Sequence, residues 1–143
     1  MKIRDLLATK GDAVETIAAD ATIRDVVERL TRLGIGALVV TGTTGTVDGI
    51  ISERDVVRVL GTHGDGALGR RVADEMSTPV TTSAPDDEVT SLMSRMTERR
   101  IRHLPVVEAG RLVGIVSIGD VVKSRVDQLE RDRKELLEYV SAR

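Results

Sequence analysis

Two stretches of the chain carry apolar residues at helical spacing: Ile23, Val26, Val27, Leu30 and Leu33, and then Val89, Leu92, Met93 and Met96. Polar and glycine residues end them at Arg32-Leu33-Gly34 and at Glu98-Arg99-Arg100. After each helix come two short apolar runs joined by a turn. Ala37 to Val40 and Val47 to Ile51 flank Gly42-Thr43-Thr44-Gly45, while Leu104 to Val107 and Leu112 to Val116 flank Glu108-Ala109-Gly110-Arg111. An extended piece precedes each helix, at Val14 to Ile17 and Val80 to Ser83, and a further helix opens at Ser52 and at Ser117. The pattern predicts β-α-β-β-α twice over, with Gly61-Thr62-His63-Gly64-Asp65-Gly66 as the linker.

The two halves also align residue by residue, as a tandem repeat of about 60 residues requires. Ile35 to Val40 lies over Ile101 to Val106, and in that register Ile23, Val26, Val27 and Leu30 lie over Val89, Leu92, Met93 and Met96. With one residue lost in a loop, Gly49-Ile50-Ile51-Ser52 lies over Gly114-Ile115-Val116-Ser117, and Asp55-Val56-Val57 over Asp120-Val121-Val122. The lead-in matches loosely, Ile3-x-Asp5-x-Leu7 over Val72-x-Asp74-x-Met76. The repeats divide the chain at 8–66 and 75–133, and 134–143 completes a last helix longer than its counterpart. Apolar residues continue there through Val126, Leu129, Leu136, Leu137 and Val140, around the charged run Glu130 to Glu135. About 20 residues of helix past Asp120 is about 30 Å, serving either as a cap on the module's own flank or as a contact with a second copy.

Composition narrows the function. The 143 residues include no cysteine, which removes disulfides, thiolate metal sites and a cysteine nucleophile. There is no Phe or Trp and one Tyr, so the aromatic platforms that hold single-stranded bases are missing. The net charge of −2 lacks the basic excess for binding a phosphate backbone, and nucleic acid is not an expected partner. No apolar run reaches the roughly 20 residues of a membrane span, and Met1 to Asp5 does not read as a signal peptide. A cytoplasmic protein is expected. His63 and His103 lie far apart without metal-ligand spacing, and no catalytic motif is present, so neither a metal nor catalysis is expected.

Ser-x-x-Asp recurs at Ser52–Asp55 and Ser117–Asp120, each after a strand and at the start of a helix. Unpaired N–H groups and the positive dipole end suit a phosphate there, and the carboxylate can accept from the hydroxyls of a ribose. The same spacing is equally a capping box, which satisfies the helix's own N–H groups. Arg102 and His103 can face a phosphate, or be a surface arginine and a strand-edge histidine. Arg54 offers a partial counterpart in the first repeat, where Gly36 and Ala37 replace that pair. Gly36 either lets a base approach the backbone or relieves packing. Thr16 and Thr82, on the first extended piece of each repeat, are ordinary strand formers unless the fold brings them to a ligand.

The strings Gly49 to Asp55, Arg99 to Val107 and Gly114 to Val122, in this order and within a duplicated β-α-β-β-α unit, closely resemble the CBS (cystathionine beta-synthase) domain, most nearly the small stand-alone bacterial proteins made of one CBS pair. The resemblance implies an α+β fold in which two repeats pack as one pseudo-symmetric module with a long C-terminal helix. It implies clefts between the repeats for AMP, ADP, ATP, NAD(H) or S-adenosylmethionine, and often a disk-shaped homodimer. By the same resemblance Asp55 and Asp120 would hold ribose, Arg102 and His103 would face phosphates, and the strands of Thr16 and Thr82 would pass the adenine. The expected role is a regulatory module acting on a partner protein. A ligand-independent scaffold with vestigial clefts, working through the last helix, is the alternative.

Overall fold

The computed structural model describes residues 1–142. Helix α1 (Ile3–Lys10) leads into strand β1 (Thr16–Ile17), helix α2 (Ile23–Leu33), strands β2 (Ala37–Thr41) and β3 (Val47–Ser52), and helix α3 (Glu53–His63). A 3₁₀ turn (Gly64–Gly69) and the short helix α4 (Val72–Glu75) follow, then α5 (Val89–Arg99), β4 (His103–Glu108), β5 (Arg111–Ser117) and the 24-residue α6 (Ile118–Ser141).

Both repeats form for local reasons visible in the chain. Helix α2 is opened by a capping box between Thr22 and Asp25 and closed by Gly34 in the left-handed conformation. At the equivalent end of α5 stands Arg100, also left-handed at φ 53°, where a side chain makes that conformation costly. In the first repeat β1 pairs parallel to β2, and β2 antiparallel to β3. In the second, only the hairpin β4–β5 is regular. The extended piece expected at Val80 to Ser83 contracts to a single bridge from Ser83 to Val106. Proline explains the contraction. Val39 donates its N–H to the Glu15 carbonyl, whereas its counterpart in β4 is Pro105, which has no N–H to give.

The Gly61 to Gly66 stretch is not a free linker. It finishes α3 and enters the 3₁₀ turn, whose Ala67 is fully buried against the first repeat's core. Glu75, also buried, fastens this region by pairing with Arg70, with Arg58 at 3.4 Å and with His63 at 3.3 Å. The Arg70 hydrogen bond holds the Glu75 carboxyl below the usual carboxylate range.

The two cores do not follow the two halves of the chain. Ile3, Leu6 and Leu7 of α1, which precedes the first repeat, are buried with Val89, Leu92, Met96, Leu104 and Val116 of the second. Val72 and Met76, which precede the second repeat, pack against Ile23, Leu38, Ile51 and Val59 of the first. Each exchanged segment lands on a glycine. A Cβ on Gly114 would stand 2.8 Å from Leu7, and one on Gly49 would run into Met76. The two glycines therefore open matching seats for matching side chains, each from the lead-in of the other repeat.

Candidate functional site

A cleft of about 410 Å³ opens between the repeats. One wall comes from the first repeat: Gly36, Ile50, and Ser52 to Asp55 at the entry to α3. The other is the segment Arg99 to His103 between α5 and β4. Ser77 closes one side. Arg54, Arg99, Arg100 and Arg102 thus line the same cleft as two carboxylates, Glu53 and Asp55. The Arg54 guanidinium donates to the Arg100 carbonyl at 3.1 Å, tying the two walls together.

The capping reading of Ser52–Asp55 is realised in the structure. The Asp55 N–H donates to Ser52 Oγ at 3.4 Å, and Asp55 Oδ2 accepts from the Ser52 N–H at 2.8 Å and from Ser52 Oγ at 3.1 Å. Its other oxygen accepts from Ser77 Oγ at 3.0 Å and from Arg58 at 3.4 Å. A carboxylate has about four lone-pair sites, so an incoming hydroxyl must take the place of a serine. Both serine hydroxyls can rotate away, which leaves capping and ligand binding compatible.

His103 begins β4, opposite Ser117 of β5, and sits beside Gly36. A Cβ on Gly36 would come within 2.6 Å of Glu53 Oε1 and 3.2 Å of the His103 ring. The missing side chain is thus what admits Glu53 and His103 to the middle of the module. Burial lowers the His103 pKa below its ordinary value, and the nearby Glu53 and Asp120 carboxylates offset this only in part. The ring is therefore neutral at pH 7. Arg102 projects into the cleft, and among the described residues its guanidinium has no hydrogen bond or ion pair.

The second Ser-x-x-Asp is built alike but occupied differently. Ser117 and Asp120 form the same capping box at the entry to α6. Here Lys10, at the end of α1, reaches in, its ammonium 2.7 Å from Asp120 Oδ2 and 2.6 Å from the Ile115 carbonyl. Burial alone would raise the Asp120 carboxyl, but hydrogen bonds from Lys10 and Ser117 outweigh it and hold the pKa below the usual range. Among the described residues Asp120 Oδ1 accepts no hydrogen bond and is the atom a ligand can use.

Of the residues singled out from sequence, Gly36, Ser52, Arg54, Asp55, Arg102 and His103 meet in one cleft. Ser117 and Asp120 belong to the Lys10 site. Thr16 lines a separate, open groove with Asp12, Val14, Thr41 and Leu112. The carbonyls of Thr16 and Thr82 accept from Arg29 at 2.7 Å and from Arg95 at 2.8 Å, two arginines at matching repeat positions. Arg99 and Arg100 read in the sequence as the end of a helix, yet both line the cleft. Lys10 and Ser77 carry no sequence signal, because only the exchange of the lead-in segments brings them to these sites. Among the described residues no group of His, Asp and Glu could hold a metal ion, and no helix is long and apolar enough to cross a membrane.

A fold of two such repeats, exchanging lead-in segments around a shared cleft, defines a class of regulatory modules. The chain belongs to the CBS domain family, whose model matches residues 3–62 and 71–127. Over 146 aligned residues it is 34% identical to the mitochondrial CBS domain-containing protein CBSX3 of Arabidopsis thaliana, covering 96% of this chain and 71% of that one. The crystal structure of a CBS-domain containing protein from Agrobacterium tumefaciens superimposes with a TM-score of 0.85 at 42% identity, over 87% of this chain and 99% of that one. The CBS domain pair of protein MJ0100, solved with 5′-methylthioadenosine and S-adenosyl-L-methionine, shares the fold with a TM-score of 0.78 at 22% identity, over 90% of this chain and 98% of that one.

Proposed function

We propose that the chain is a homodimeric sensor whose arginine-lined cleft binds a phosphorylated adenosine nucleotide (AMP, ADP, ATP or NAD(H)) and so alters the surface offered to a regulated protein. One observation carries this reading: Arg54 of the first repeat and Arg99, Arg100 and Arg102 of the second line one cleft together with the Ser52–Asp55 helix entry. Four guanidinium groups against two carboxylates leave the cleft cationic, and forked donors of this type match phosphate oxygens. The volume of about 410 Å³ falls within the usual range for small-molecule sites. Ribose would sit at Asp55 and the phosphates toward Arg102 and His103. S-adenosylmethionine, with a sulfonium in place of phosphates, suits this cleft least. The Asp120 site, with its resident Lys10, would be the weaker of two unequal sites.

A thermal-shift series with AMP, ADP, ATP, NAD⁺, NADH and S-adenosylmethionine tests the reading. A nucleotide at one hundred times its Kd adds about 2.7 kcal/mol of stability. Phosphorylated ligands are expected to raise Tm and S-adenosylmethionine to do so least. No shift with any of them at millimolar concentration would sink the sensor reading.

The depressed pKa of His103 adds a pH signature. A phosphate seated beside the ring stabilises its protonated form, so the bound-state pKa exceeds that of the free protein. Affinity for ADP should therefore rise as pH falls through the bound-state pKa, and the gain should level off below the free-state value. Calorimetry in buffers of different ionisation enthalpy should show proton uptake that His103→Gln removes. Equal uptake by both proteins would assign it to the phosphates of ADP alone.

A further inference from the structure

Helix α6 carries an apolar seam that its own chain leaves uncovered. Val121 is fully buried against the second repeat, but Val122, Val126, Leu129, Leu136 and Val140 are 50%, 46%, 51%, 64% and 66% exposed. With Arg133 they follow alternating steps of four and three residues, the 3.5-residue period of a two-stranded coiled coil. The seam is about 27 Å long from Val122 to Val140. An apolar stripe of this length on one face, interrupted only at Arg133, marks an interaction surface.

We propose that a second copy of the chain closes this seam, its α6 running antiparallel, with Val126 against Leu129 of the partner subunit. Charge selects this register. Lys123 then lies opposite Glu130 of the partner subunit and Arg125 opposite Asp132 of the partner subunit, and symmetry repeats both pairs. Leu136 falls over Gly119 of the partner subunit, a seam position where an added Cβ would meet nothing closer than Ser117 Oγ at 3.6 Å. The competing arrangements each meet a like-charge conflict. A parallel, in-register pair sets Arg133 against its own copy inside the seam, and an antiparallel pair shifted by one heptad sets Glu130 against Glu130 and Asp132 against Asp132. The inference rests on the homodimeric part of the reading above, and adds the surface, direction and register. It makes no use of nucleotide binding.

The absence of native cysteine makes the test clean, since an introduced thiol is the only one in the chain. A tagged Val126→Cys chain and an untagged Leu129→Cys chain are mixed, allowed to exchange and oxidised. A disulfide-linked heterodimer is expected, with neither variant linking to itself. Self-linking of either variant would establish a parallel pair and overturn the register, while a monomeric wild type in sedimentation equilibrium would overturn the homodimer as well. A second test uses no thiol. Asp132→Arg should raise the dimer dissociation constant about tenfold by setting two cation pairs face to face, and adding Arg125→Asp should restore it. An unchanged dissociation constant in Asp132→Arg, or no restoration in the double variant, would also reject the proposed pairing. Both positions are exposed, so circular dichroism should show the native fold throughout.

Discussion

Replacing Ile3 and Leu7 together by alanine is expected to unfold the second repeat first, although both residues precede the first. Ile3 is fully buried and Leu7 is 8% exposed, both within the cluster of Leu92, Leu104 and Val116. Truncating a buried Ile or Leu to alanine costs about 2–5 kcal/mol, the spread reflecting how far the site can collapse. The hole over Gly114 has little means of collapsing. The strand there has no side chain to move inward, and the glycine is the seat that Leu7 fills. The two losses share one core and are not strictly additive. Even so, a combined loss of about 5 kcal/mol is a large part of the 5–15 kcal/mol that holds a domain together. Hydrogen exchange locates the damage. Amides of β4 and β5 should lose protection well before those of β2 and β3. The reverse order, or a uniform loss, would mean that α1 does not belong to the second core.

The second large effect concerns the ligand and leaves the free protein almost untouched. Arg102→Ala should weaken binding of ADP or ATP by roughly 10- to 150-fold, the equivalent of losing one hydrogen bond to a charged group at about 1.5–3 kcal/mol. Arg102 is the cleanest of the four arginines to remove. It is exposed, and among the described residues its side chain has no intramolecular partner, whereas Arg54 holds the Arg100 carbonyl. Unliganded stability should therefore stay within about 0.5 kcal/mol of wild type, as for other surface substitutions. Titration calorimetry gives the affinity, and a melt without ligand gives the control. An unchanged affinity would take the phosphates away from this wall of the cleft.

Much of the fold is legible in the chain because duplication states each local rule twice. Helical spacing from Ile23 and from Val89, turn residues between the hairpin strands and Ser-x-x-Asp at two helix entries are all short-range signals. The structure follows them closely. The misreadings have local causes of another kind. Pro105 withholds the N–H that would have extended the Val80 to Ser83 strand, and Ala67 draws the supposed linker into the first core.

The site was legible in its residue types but not in its grouping. Read in line, Arg102 and His103 belong to the second repeat. In space both line a cleft with Ser52 and Asp55 of the first repeat. His103 also remains close enough to Asp120 to feel its charge, and Asp120 itself receives Lys10 from the start of the chain. The sequence by itself determined the tandem repeat, its elements and the two capped helix entries, because each depends on side chains a few residues apart. That Lys10 meets Asp120 and Ser77 meets Asp55 was decided only by the exchange of the α1 and α4 segments between the cores. That exchange is driven by burial of Ile3, Leu7 and Val72 against residues far along the chain, and apolar burial, unlike a helix cap, leaves no directional mark in the sequence.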